Sequence, residues 1–226
     1  MNKKKEKLIK ETDNLVKKAI KKIDDHPEVP QNYYNLGVLL TELKNYEQAQ
    51  ELYIKALYLF KKNKEAADLL HYGSGNVFYA AGLYEKAVKE FQRVTGSSLK
   101  QEAYLMLAQT EFAQDHYQQA VAFALTVAEK EEKSIPALML LGESFLALGN
   151  FETAKKYFEK VVNYEPAHFK ANFELGVLEL VSGGKGTAYF QCAQGIDAQA
   201  FAAMKTRLVD IERVVAARKK GGKKSN

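Results

Sequence analysis

Residues 135–168 read IPALMLLGESFLALGNFETAKKYFEKVVNYEPAH, and this stretch decides the fold. Its landmarks are Leu138, Leu141-Gly142 and Phe145, then Gly149, then Phe151, Ala154, Phe158 and Val161, with Pro166 closing the stretch. The apolar positions recur at helical spacing on either side of Gly149, which predicts two amphipathic helices joined by a glycine turn. The same offsets return along the chain. One copy has Tyr33-Tyr34-Asn35-Leu36-Gly37, Leu40, Tyr46, Ala49, Tyr53 and Ala56. Another has His71, Ser74-Gly75, Phe78, Gly82, Tyr84, Ala87, Phe91 and Val94, and a third has Tyr104, Leu107-Ala108, Tyr117, Ala120, Ala124 and Val127. A weaker fifth copy shows Leu175-Gly176, Gly183, Ala188 and Cys192. With starts at Pro30, Asp68, Gln101, Ile135 and Phe169, the spacings are 38, 33, 34 and 34 residues.

Physical chemistry accounts for these landmarks. Gly37, Gly75, Ala108, Gly142 and Gly176 are expected to face Ala49, Ala87, Ala120, Ala154 and Ala188 of the partner helix, because small against small lets two helices approach closely. Gly82, Gly149 and Gly183 fall between helices, where a positive φ ends the first helix at little cost. The pattern resembles the tetratricopeptide repeat, a helix–turn–helix unit of about 34 residues, over roughly residues 30–196. No tryptophan fills the first large slot; Tyr33, His71, Tyr104, Leu138 and Asn172 stand there, and Cys192 takes an aromatic slot. The resemblance implies an all-α chain, a right-handed superhelix of five helix pairs over 30–67, 68–100, 101–134, 135–168 and 169–196. The chain resembles small bacterial cytoplasmic members.

Outside the repeats, one amphipathic helix is expected over 3–24 of an N-terminal cap (1–29), with Leu8, Leu15, Ala19 and Ile23 near one stripe. Another is expected over 198–219 of a C-terminal cap (197–219), with Phe201, Met204, Leu208, Ile211 and Val215 at helical spacing. A stack of repeats leaves an apolar face bare at each end, so both read as caps. Residues 220–226 read as a disordered basic tail. The four-residue excess near Lys61-Lys62-Asn63-Lys64 lengthens a helix or loosens a joint, and with Gly73 and Gly75 following it marks the place expected to bend.

The net charge of +5 is unevenly spread. Residues 1–22 hold nine Lys against three acids, and residues 205–226 hold eight Lys or Arg against two, so each end carries +6 and the body −7. The start is a charged segment, not an apolar run with a cleavage site, and the most apolar stretch, Ile135 to Gly149, is too short to span a bilayer. The expectation is a cytoplasmic protein without a membrane partner.

Chemistry is sparse. His26, His71, His116 and His168 have no companion ligand at metal spacing. Cys192 can make no intramolecular disulfide and reads as an inert core residue. Gly183-Gly184-Lys185-Gly186-Thr187 is not a phosphate loop: Glu179 stands where a Walker loop needs glycine, and Gly186 where it needs Ser or Thr. Neither enzyme activity, nor a metal, nor a cofactor is expected.

The resemblance implies instead that the first helix of each pair lines an inner groove. Its residues are Tyr34, Asn35, Val38 and Thr41 in the first repeat and Tyr72, Gly73, Asn76 and Tyr79 in the second. Leu105, Gln109 and Phe112 follow, then Met139, Glu143 and Leu146, then Phe173, Val177 and Leu180. Asn76 occupies a slot where peptide-holding members of the family often carry asparagine, and a primary amide can both donate to and accept from an extended backbone. Gly73 is expected to leave space beside Tyr34 and Tyr72 for one anchoring side chain. The cations with which chaperone-binding relatives clamp a carboxylate are replaced by apolar residues, leaving Lys170 alone at the far end. The function these features imply is a non-enzymatic scaffold or adaptor holding an apolar or aromatic peptide segment of a partner protein. The alternatives are an RNA- or ribosome-associated factor using the basic ends, and self-assembly of two copies.

Overall fold

The computed structural model describes the backbone of residues 3–96 and 98–222, and the side chains of residues 10–96, 98–211, 213 and 214. Among the described residues there are twelve helices and no strand: α1 Lys3–Asp25, α2 Pro30–Glu42, α3 Tyr46–Leu59, α4 Lys64–Ala80, α5 Tyr84–Gln92, α6 Lys100–Phe112, α7 Tyr117–Lys130, α8 Ile135–Ala147, α9 Phe151–Tyr164, α10 Phe169–Val181, α11 Thr187–Ile196 and α12 Ala198–Gly222. The all-α hairpin architecture is therefore the one the repeats imply. Helix α12 runs three residues into the segment read as a tail; residues 223–226 and the side chains of Leu8 and Val215 lie outside the described residues. The chain forms two compact units, Met1–His116 and Tyr117–Asn226.

The turn that ends the first helix of a pair has the same backbone in all five repeats. Gly82, Gly149 and Gly183 have φ of +73°, +74° and +98°, and Lys44 and Asp115 adopt +61° at the same slot. Two repeats thus hold a left-handed residue without glycine, at a steric cost on the order of 1 kcal/mol each.

In the first unit, α1 packs on α2 through Val16, Ala19 and Ile23. Leu15, expected on that stripe, is exposed instead, because the spacing 16–19–23 rotates the buried face away from it. The α1–α2 corner is tied by Tyr33, whose hydroxyl donates to the Pro27 carbonyl at 3.0 Å, and by the Asn32 amide, which donates to Lys22 O at 3.0 Å. The close approach of α2 and α3 does not rest on alanine facing glycine. The atoms that a Cβ on Gly37 would meet belong to the Tyr53 ring, and those at Gly75 and Gly142 belong to Phe91 and Phe158, both at 2.5 Å. Each glycine is the floor on which an aromatic ring lies, with the fully buried Ala49, Ala87 and Ala154 one turn away.

The four-residue excess lengthens a helix: α4 has 17 residues where α2 has 13, and the Asn63 side chain caps its added turn by accepting from Ala66 N–H at 3.1 Å. Helix α5 has only nine residues. The buried Asp68, on the second turn of α4, accepts from Thr95 N–H and Gly96 N–H, both at 2.9 Å, and so takes up two donors of the loop after α5. A Cβ on Gly96 would lie 2.5 Å from that carboxylate.

In the second unit, Leu138 of α8, Ala154, Phe158 and Val161 of α9, and Ala171, Leu175 and Leu178 of α10 form one core cluster. The fifth repeat departs from the expected alignment. Cys192 and Ala188 are exposed, while Phe190 lies against Gly176 and Gly186 is buried beside the Gly176 carbonyl. The ring follows its glycine by 14 residues here, Gly176 to Phe190, against 16 in Gly37–Tyr53, Gly75–Phe91 and Gly142–Phe158. Phe190 therefore takes the aromatic slot assigned to Cys192, Gly186 the slot of Ala188, and the buried Ala193 the apolar slot one turn after the ring. Phe173, Phe190 and Phe201 then stack edge to face, with centroids 5.8–6.1 Å apart, and seat α12 on α10 and α11 together with Met204 and Ile211.

Candidate functional site

In the first unit the side chains that could meet a ligand come from α2, α4 and α6. Tyr53 of α3 organises them from below. Its ring is buried between Gly37 of α2 and Gly73 of α4, where a Cβ on Gly73 would come to 2.5 Å of the ring, and its hydroxyl donates to the Tyr34 carbonyl at 3.0 Å. The space expected beside Gly73 is therefore filled by Tyr53, and Gly73 itself is buried. Only glycine on both helices leaves room for that ring.

Tyr34 and Tyr72 are half-buried above this floor. The Tyr72 ring tilts against Phe91, with centroids 5.8 Å apart. Burial pushes the hydroxyls of Tyr34, Tyr72 and Tyr79 above the usual phenol range, and the charge of Glu102 on α6 adds to that at Tyr72. Asn76, one turn along α4, opposes that rise, as a polar amide beside the phenol favours its ionised form. A primary amide offers both a carbonyl acceptor and N–H donors to a partner. Tyr34, Tyr72 and Asn76 thus form one cluster, bordered by Glu102. Around it, Asn35 accepts from Gln31 Nε2 at 2.9 Å, the Thr41 hydroxyl donates to the Gly37 carbonyl at 2.7 Å, and Tyr79 tilts against Tyr84 with centroids 5.6 Å apart. Val38, Leu105, Gln109 and Phe112 are half-buried on their helices.

The second unit presents its residues differently. Met139, expected to line the groove, is buried in the α8–α9–α10 cluster. Glu143 holds Lys170 at 2.7 Å, so the lysine expected to stand alone is neutralised. Phe173 and Val177 are covered by α12, whose Arg207 lies over the Phe173 ring at 5.6 Å and grips the buried Glu174 with two bonds of 2.8 and 3.2 Å. Sequence reading missed Tyr53, Glu174 and Arg207 as determinants of these surfaces. A signal existed for Tyr53: it is the only tyrosine in a slot held by Phe91, Ala124 and Phe158 in the next three repeats, and the repeat after it carries an additional glycine at 73.

Among the described residues no group of three or more His, Cys, Asp or Glu side chains is placed to hold a metal ion. No described helix is long and apolar enough to cross a membrane.

Comparison with known proteins agrees with this architecture. Three models of the tetratricopeptide repeat match residues 28–96, 72–133 and 135–168. A TPR repeat-containing protein of Methanocaldococcus jannaschii, MJ1428, is 23% identical over 160 residues, which is 69% of this chain and 27% of that protein. The chain therefore spans about a quarter of the length of this relative. Among solved structures, YrrB, described as a TPR protein with an unusual peptide-binding site, aligns with a TM-score of 0.63 at 22% identity, covering 84% of this chain and 97% of YrrB. MamA from Desulfovibrio magneticus RS-1 aligns with a TM-score of 0.64 at 18% identity, covering 75% and 95%. The repeat spacing, the shared left-handed turn, the aromatic-on-glycine hairpins and these matches make the chain a member of the tetratricopeptide repeat family.

Proposed function

We propose that the protein is a non-enzymatic scaffold that holds an apolar or aromatic segment of a partner protein against Tyr34, Tyr72 and Asn76. The observation that carries this reading is the cluster itself: two half-buried phenol rings on a rigid floor, beside a half-buried amide that can both donate and accept. Rings of this kind supply contact area at small entropic cost, and the amide suits a peptide backbone irrespective of its side chains. The cluster holds no lysine or arginine and borders Glu102, which argues against a carboxylate-terminated ligand. YrrB lends support as a relative in fold that has a peptide-binding site. Affinity of about micromolar is expected, because a flexible peptide loses its freedom on binding.

The test starts from peptides selected by phage display on the intact protein, with anisotropy measured on one selected, labelled peptide. Replacing Tyr72 and Asn76 together by alanine should weaken binding at least about tenfold. Equal affinity for parent and double variant would remove the assignment. The lysine-rich ends, +6 each, support a second reading as an RNA-associated factor. That reading requires RNA binding with a steep salt dependence that is lost on deleting residues 1–7 and 219–226.

A further inference from the structure

Helix α3 carries a second surface, on the side opposite its packed face. The three most exposed large apolar side chains among the described residues all belong to it: Tyr58 at 75%, Ile54 at 67% and Leu59 at 56%. The buried residues of α3 are Ala49, Tyr53 and Ala56, so at 100° per residue Ile54 and Tyr58 point away from the core and share their line with Glu47 and Glu51. Lys61, just past the helix end, is brought onto the same face by its ammonium, which lies 4.6 Å from the centre of the Tyr58 ring. This face therefore runs acid, acid, apolar, apolar, base from one end to the other. Equivalent positions of the second and fourth repeats are polar or glycine, Gln92 and Gly96 in one, Glu159 and Asn163 in the other. The apolar pair belongs to the first repeat and is not a demand of the repeat fold.

Such a face is complementary to itself. Laying a second copy of α3 antiparallel across it, about a two-fold axis between Ile54 and Tyr58, sets Ile54 opposite Tyr58 of the second copy. The same axis sets Glu51, which Lys55 of its own helix holds at 2.6 Å in an exposed pair, opposite Lys61 of the second copy, and each of these contacts occurs twice. The helix dipoles are then antiparallel as well. We propose that the outer face of α3 is a self-association surface through which two copies of this chain pair antiparallel, with Ile54 and Tyr58 at the centre and Glu51–Lys61 pairs at the rim. The pairing is independent of the peptide site, which lies on other helices. One helix against one helix falls below the roughly 1,200 Å² of a stable interface, so the dimer is expected to be weak, forming between about 10 μM and about 1 mM.

Sedimentation velocity of the full chain across that range reads the equilibrium directly. The parent should shift from monomer to dimer, and Ile54→Asp should weaken the dimer at least about tenfold. Glu51→Lys and Lys61→Glu should each weaken it about fivefold or more, and the double reversal should return it to within about twofold of the parent. All three side chains are exposed, so circular dichroism melts of Ile54→Asp and Lys61→Glu should match the parent, while Glu51→Lys, which also breaks the exposed pair with Lys55, should melt only slightly lower. A parent that stays monomeric throughout hands this face to a different partner and overturns the proposal. A dimer indifferent to Ile54→Asp overturns it too, and a double reversal that fails to rescue the single ones overturns the antiparallel pairing.

Discussion

Tyr53 shows how much one side chain settles. Its ring needs two glycines, Gly37 and Gly73, on two different helices, and its hydroxyl satisfies the carbonyl of Tyr34, a residue of the candidate site. Burial raises its phenol far above the usual value, so ionisation is strongly disfavoured in the fold. The linkage has a definite sign. Below the ordinary phenol value of 10.0 the group is neutral folded and unfolded, and its contribution is fully present. As pH rises past 10.0 the unfolded chain loses the proton while the native one keeps it, and stability falls. Tyr53→Phe should therefore cost about 1 kcal/mol at neutral pH through the lost hydrogen bond, and should flatten the alkaline fall in melting temperature. An alkaline limb unchanged by the substitution would mean that the phenol is not shielded from water. His71 and Asn172, poor fits to a large apolar slot, are accommodated by bonds in place of bulk. His71 Nδ1 lies 2.8 Å from Glu90 Oε2, and the buried Asn172 amide donates to Pro166 O at 2.9 Å and to His168 O at 3.0 Å. Neither partnership could be found by spacing alone, because the partners sit in other elements or in the preceding turn.

At the scale of elements, the second repeat trades length between its helices. The added turn at the start of α4 precedes Asp68, which binds the loop left behind by the short α5. Without that carboxylate two loop N–H groups lose their acceptor. Asp68→Ala should destabilise the protein by about 2 kcal/mol and speed amide exchange most at Thr95 and Gly96. Exchange there no faster than in the parent would show that the loop keeps its shape unaided. The segment expected to bend, 61–64, is thus next to a capped helix start and not to a break. The fifth repeat carries the opposite lesson. Sequence alignment kept the glycine turn and put Cys192 in the core, whereas packing shifted α11 by two residues so that Phe190 could cover Gly176. An aromatic ring buries far more apolar area than a thiol, on the order of 1–2 kcal/mol more, and that difference outweighs keeping the spacing of the other repeats.

For the molecule as a whole, stability is built from neighbouring hairpins. The buried residues clustered around Phe158 come from α8, α9 and α10, with Tyr189 of α11 packed against them. Ala154 is fully buried within it, and Ala154→Leu should overpack it at a cost of about 1–3 kcal/mol. Because repeats couple to their nearest neighbours, faster amide exchange is expected in α8 to α10, with α2 and α3 unchanged. A uniform rise along the chain would show a single cooperative core in place of local ones. Helix α12 completes the second unit by covering Phe173 and Val177 and by giving the buried Glu174 its guanidinium partner, Arg207.

The sequence alone determined the repeat length, the paired helices, the left-handed turns at Gly82, Gly149 and Gly183 and the family, since all of these depend on local periodicity and on single residues repeated at fixed offsets. The left-handed Lys44 and Asp115, by contrast, carry no glycine to mark them. It also named Tyr34, Tyr72 and Asn76 by their slots. Tertiary structure decided which of those slots remain available: Tyr53 fills the space at Gly73, the core takes Met139, and α12 takes Phe173 and Val177. Which surface is left for a partner depends on what the rest of the chain lays over it, and side chains that meet across 20 or more residues, such as Arg207 and Glu174, leave no periodic trace in the sequence.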